Sequence, residues 1–369
     1  MNLTGVYLVG VVVLAYRVKR KDKLNNLSST DKAIRNILLC LLFIWTVEFI
    51  GMRTKYNDTS SYIHSFMLAG KVKGIETILT EPYGGHEYLT SLVRSYTSNY
   101  HVYFVIYAII TFSPILWFFR KYSQDFMLTI LSFLIFGWLL LSMAAMKQMV
   151  SIAFSLFAID SIIQKKYISF AMWLLVAYTF HPYVLVLFIM PFFTDMVWSR
   201  KIIIMTIATF ILCMTFSSMM GVILSIASTV GNNYSIEQFT DHTINPMRVV
   251  VDTIPIGISF VFRNKINAAG NRMIKLGVNM SIIAWLITAA CLVGNPIYLY
   301  RTGQYFSIVL CVVFPWILRV CLPKSRYKRL IIVGIFVFYT AIFIYNFPGG
   351  FRFFGDFANH APLGELFNI

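Results

Sequence analysis

The sequence predicts an all-α, polytopic integral membrane bundle of about twelve spans, forming one transmembrane domain over residues 1–369. Composition is the first observation behind that fold class: 58% of the residues are hydrophobic and 12% charged, whereas soluble domains average roughly 45–50% apolar. The second is a mean hydropathy of +0.73 together with 33 phenylalanines, because a bilayer, unlike water, accepts helices that are apolar all round. The third is the distribution of Lys and Arg, which stand in short clusters between apolar runs.

Cutting the chain at those clusters places the spans at 2–16, 36–52, 100–119, 125–145, 148–164, 167–180, 183–198, 202–226, 249–262, 276–294, 303–320 and 330–346. The first run, Leu3 to Tyr16, has no basic residue before it and a basic cluster after it, so it reads as a retained span with its N-terminus outside. The pair flanking His181-Pro182 is short for spans and is open to being a hairpin that does not cross fully. Extracytoplasmic loops are expected at 53–99 and 228–248, followed by an outer C-terminal tail at 347–369 with a Pro348-Gly349-Gly350 turn. Within the first loop, Leu89, Leu92, Val93 and Tyr96 recur at helical spacing and predict an amphipathic helix at the membrane interface.

A net charge of +16 could belong to a nucleic-acid binder, but such a protein gathers its cations on one accessible surface. Here 22 of the 31 basic residues fall on the loops expected to be cytoplasmic, which is the bias that orients membrane proteins. Charge is therefore topology, no nucleic-acid partner is expected, and the chain is placed in a membrane with both termini outside. Cys40, Cys213, Cys291, Cys311 and Cys321 lie in or at the ends of apolar runs, with no disulfide framework or CxxC site.

Nine cations escape this rule: Arg53, Lys55, Lys71, Lys73, Arg94, Lys147, Arg248, Arg301 and Arg352. Lys55, Lys71 and Lys73 read as ordinary solvated loop charges. Arg53, Lys147 and Arg301 instead abut span ends with apolar or aromatic flanks, where an ionisable group is either snorkelling to headgroups or serving a site. Three on one face point to a shared anionic ligand, and the planar donor fork of Arg suits phosphate. His181, at an outer turn, offers a titratable ring, although a lone histidine is more often structural. Asp58 follows Arg53 closely and fits either a carboxylate beside cations or a helix cap. No GxSxG, HExxH, P-loop, dinucleotide glycine pattern or acidic DxD pair is present, so neither a resident cofactor nor a metal is expected. A metal-independent reaction that releases an anionic leaving group would have to stabilise it with Arg and Lys.

Four segments, RTKYNDTSSY, EPYGGHEYLTSLV, MKQMVSIAFSLFAIDSIIQKKYISFAMWLLVAYTFHPYVLVL and RTGQYF, occur in an order that resembles the EpsG-like branch of Wzy-type bacterial polysaccharide polymerases. The third segment departs from the pattern in one place, because Lys147 stands before Gln148 where Arg is usual; the charge is kept and the bidentate fork is not. The resemblance implies a GT-C-like membrane glycosyltransferase. Such an enzyme joins undecaprenyl-diphosphate-linked oligosaccharide repeat units on the outer face, in membrane lipid, alongside a chain-length regulator and a flippase. It implies further that Arg53, Lys147 and Arg301 bind the diphosphate, that His181 or Asp58 orients or deprotonates the acceptor, and that Tyr62, Gln148 and Tyr305 contact sugar or support the site. A lipid-linked oligosaccharide flippase or exporter, another lipid-dependent glycosyltransferase or ligase, and a non-enzymatic assembly protein stay open as alternatives.

Overall fold

A computed structural model describes residues 3–22, 28–70, 72–81, 83–194, 196–229, 244–292 and 296–367. Lys71 and most of the expected outer loop at 228–248 lie outside the described residues. Among the described residues the fold is all-helical, without a strand. Several apolar helices mark a membrane protein. By length and composition, five helices suffice to cross a bilayer, or up to seven if each of two pairs bent by 51° counts as one span.

The chain packs as two compact units, residues 1–184 with 323–369, and residues 185–322. In the first, α1 (Thr4–Asp22) and α2 (Ser29–Gly51) are followed by the short helices α3 (Thr59–Leu68), α4 (Thr77–Thr80) and α5 (Gly84–Tyr96). Next come α6 (Tyr100–Tyr122), α7 (Phe126–Ile135), α8 (Trp138–Ala144), α9 (Met146–Ile163) and α10 (Tyr167–Tyr178). A C-terminal helix, Lys328–Tyr345, completes the unit. Local chemistry sets the ends of these helices. Ser28, Asn99 and Asp125 accept hydrogen bonds from the first-turn amides of α2, α6 and α7, which meets donors a helix cannot satisfy itself. Gly137, at φ +81°, supplies the left-handed residue that breaks the run 126–144 into α7 and α8.

Charge separates the two ends of this unit. At one end Lys19 pairs with the buried Asp125 at 2.7 Å, Arg120 grips Asp22 through two bonds of 2.7 and 3.1 Å, and Lys121 pairs with Asp160. At the other, α2 finishes beside the start of α6, where His101 Nδ1 lies 3.4 Å from the Gly51 carbonyl. The chain after Gly349-Gly350 folds back onto this second end: the Thr4 and Gly5 amides donate to Gly355 and Phe353, the Ala361 amide donates to Met52 at 2.8 Å, and His360 Nε2 lies 2.7 Å from the Phe49 carbonyl.

The pair flanking His181 resolves into α10 and a 3-10 segment, Pro182–Phe193, of 12 residues each. Twelve α-helical residues rise only ~18 Å against a ~30 Å hydrocarbon core. The second unit contains α11 (Arg200–Thr229), α12 (Pro246–Val261), α13 (Arg263–Ala269), α14 (Arg272–Ala290), α15 (Pro296–Ser307) and α16 (Leu310–Cys321). Asn267 clamps Val197 through its amide and carbonyl at 2.8 and 3.1 Å, and Asn279 donates to the Phe193 carbonyl at 2.8 Å. These side chains satisfy backbone groups where the helical ladder is interrupted.

Candidate functional site

The polar end of the first unit is built on an aromatic core of Tyr62, Phe66, Val93, Tyr103, Phe104, Tyr107, Met146 and Val150. Three short stretches meet above it: the link from α2 to α3, the start of α5, and the start of α9 with the end of α10. Arg53 joins the first to the third. It is fully buried, its Nε donates to Thr59 Oγ1 at 3.2 Å, Nη1 donates to the Ile50 carbonyl, and Nη2 contacts Met146 Sδ at 2.8 Å. The guanidinium carbon also lies 4.1 Å from the Phe104 ring centroid. Burial lowers Arg53 to about 10, so it stays cationic at neutral pH.

Met146 opens α9, and the Tyr62 hydroxyl reaches the backbone amides of Met146 and Lys147 there. Lys147 is half-buried, with its ammonium 4.5 Å from the Tyr83 ring centroid. It therefore adds a full charge to the positive pole of an 18-residue helix. Gln148 next to it is buried.

The Tyr83 ring neighbours both Lys147 and His181, the His181 ring centroid lying 5.8 Å away. Two features fix it there. Tyr83 takes a left-handed conformation at φ +57°, and Gly84-Gly85 follow at a point of close approach. A Cβ on Gly84 would stand 2.0 Å from the Thr77 carbonyl oxygen, and one on Gly85 would stand 2.3 Å from Thr179 Oγ1. The Gly85 amide donates to the Thr179 carbonyl at 2.9 Å, tying α5 to the residues just before His181. His181 is itself buried, with Tyr183 4.7 Å from its ring.

One side of α5 packs inward against the aromatic core. His86, Thr90 and Val93 are buried, Val93 in the aromatic core, whereas Tyr96 is 80% exposed. His86 Nδ1 and the Tyr107 hydroxyl share a hydrogen bond of 2.7 Å. Burial, with a smaller effect from the Lys147 charge, pushes His86 down to about 3, so the ring is neutral beside the ammonium.

The structure thus brings Arg53, Tyr62, Lys147, Gln148 and His181 to one end of one unit. Asp58 sits at the N-cap position of α3 but is exposed and makes no side-chain cap bond, while Thr59 takes the Arg53 Nε. Arg301 and Tyr305 belong to the second unit, where Arg301 is exposed on α15 and Tyr305 fully buried. In that unit Arg248 lies 4.5 Å from the ring of Tyr300, which neighbours Arg301. Sequence reasoning missed Tyr83 and His86 as site residues, although both lie in the EPYGGHEYLTSLV segment it singled out.

A family model, described as the EpsG family, matches residues 36–354. No curated protein and no solved structure matches the chain.

Proposed function

The chain belongs to the EpsG family, a family of Wzy-type polysaccharide polymerase-like proteins, and from that premise we propose that it polymerises undecaprenyl-diphosphate-linked oligosaccharide repeat units on the outer face of a bacterial cytoplasmic membrane. The observation that carries the reading is the convergence of Lys147, Tyr83, His86 and His181 over a buried Arg53, at the end of the bundle away from the Asp-paired basic clusters.

In such a reaction the acceptor hydroxyl attacks the anomeric carbon of the growing glycan, the bond to the carrier breaks, and the diphosphate departs with its electron pair. Lys147 at the head of α9 meets the charge that grows on that diphosphate. Arg53 acts from below: its donors are engaged within the protein, so it contributes positive potential and holds the Met146–Lys147 turn. His181 accepts or steers the acceptor proton, and Tyr83 offers a ring face both to the ammonium and to a sugar. Arg301, exposed on α15 of the second unit, is assigned to a diphosphate of a lipid-linked substrate.

Reconstitution with purified lipid-linked repeat units tests the reading. Lengthening of the glycan that is lost in Lys147→Met supports it. Translocation of the lipid-linked units without lengthening would assign the chain to a flippase instead.

A further inference from the structure

A groove between α2 and α6, at the end of the first unit opposite the candidate site, has no part in that chemistry. The groove is open and shallow, with a volume of about 460 Å³, and is lined by Arg35, Leu39 and Phe43 of α2 and by Ser113, Leu116, Trp117 and Arg120 of α6, the Ser113 hydroxyl donating to its own helix at the Ile109 carbonyl; the size is within the roughly 300–1,000 Å³ typical of ligand sites. Residues 35, 39 and 43 succeed one another at one helical turn each, as do 116 or 117 and 120, so each wall is a stripe along its helix. Both guanidinium groups stand at one end and every apolar wall residue lies farther along, giving a polar mouth and a greasy barrel.

From this amphipathic layout we infer that the groove binds an anionic phospholipid, its phosphate at Arg35 and Arg120 and an acyl chain along Leu39, Phe43, Leu116 and Trp117. Two points favour that occupant. Both walls belong to helices long and apolar enough to cross a bilayer, and α2 leaves most of its span uncovered, so lipid is what surrounds the groove. The mouth also carries more cation than anion. One carboxylate, Asp22, is shared by Arg120 at 2.7 Å and Arg35 at 3.7 Å, and among the described residues the buried Arg35 Nε has no acceptor. A phosphate ester would supply that acceptor and balance the excess charge. The neighbouring Lys121 is turned aside, paired with Asp160 and 5.0 Å from the Trp117 ring centroid.

Native mass spectrometry of the full-length protein, with phosphatidylglycerol, phosphatidylcholine or undecaprenyl phosphate added to the detergent, tests this. Phosphatidylglycerol is expected to be retained over phosphatidylcholine, and Arg35→Gln, which leaves the two-bond Arg120–Asp22 pair intact, is expected to cut that preference roughly fivefold. Leu39→Trp fills the barrel and is expected to lower retention of both phospholipids without touching the charges. Equal retention of the two phospholipids, or insensitivity to both variants, would overturn the assignment. So would preferential retention of undecaprenyl phosphate, which would give the groove to the carrier.

Discussion

His86 gives the sharpest quantitative expectation, because its environment fixes both a sign and a size. In the unfolded chain its imidazole titrates near 6.5, whereas burial and Lys147 push it down to about 3 in the folded protein. Between those values the unfolded chain binds a proton that the folded one refuses. Stability therefore stands at its full value above pH 6.5 and is lost as pH falls toward 3. Taking the pH from 7 to 5 costs roughly 2 kcal/mol from this one group, obtained by integrating the linkage relation over its titration. Other groups titrate in the same window, so the measurement is a difference: reversible unfolding in mixed micelles at pH 7 and pH 5, for the wild-type protein and for His86→Gln. Glutamine keeps an amide that can hydrogen-bond the Tyr107 hydroxyl but carries no proton-binding site. The wild type is expected to lose about 2 kcal/mol more than the variant on acidification. Identical pH dependence in the two would refute the claim that His86 is buried and neutral beside an ammonium.

Three further outcomes follow from the same geometry. Lys147→Met is expected to reduce the rate of glycan lengthening by roughly 10²- to 10³-fold, as removal of a charge-stabilising group does elsewhere, while Lys147→Arg stays within about tenfold of wild type in the same reconstituted assay. Tyr83→Phe preserves the ring under the ammonium and is expected to remain near wild type. Tyr83→Leu loses the cation–π contact and is expected to fall roughly 3- to 30-fold in kcat/KM, with equal activity of the two variants counting against any role for the ring. Gly84→Ala forces a Cβ against the Thr77 backbone and is expected to cost roughly 1–3 kcal/mol or more in the unfolding assay. Gly257→Ala, on α12 with nothing within 4 Å of the added Cβ, is expected to be neutral or stabilising.

Much of the bundle is legible in the sequence because a span must be apolar over about 20 residues whatever surrounds it. Residues 36–52, 100–119 and 330–346 read directly as α2, α6 and the C-terminal helix for that reason. Interruptions are harder to read: in FMLTILSFLIFGWLLLSMA the hydropathy runs on through Gly137, and only the backbone shows that its positive φ turns the helix by 51°. His86 escaped notice for a different cause. Helical periodicity marks α5 as amphipathic but is silent on what each of its faces meets, and the face that carries His86 meets protein, where Tyr107 gives the imidazole a partner.

The outer cations illustrate the same limit more deeply, since Arg53 and Lys147 look alike as charges beside span ends and differ in where their donors go. Three nitrogens of Arg53 are engaged by Thr59, Ile50 and Met146, and its face is covered by Phe104. A guanidinium held this way costs desolvation and returns rigidity: it links the end of α2, the start of α3 and the start of α9. Lys147 sits one residue beyond Met146, on the turn that Arg53 and Tyr62 hold, with its ammonium over Tyr83. On the proposed reading, the planar fork serves the fixed framework and the flexible point charge meets the ligand charge that changes during reaction. On this division, a substitution at position 53 is felt first as loss of structure and only through it as loss of rate, whereas a substitution at position 147 changes the rate in a protein that still folds.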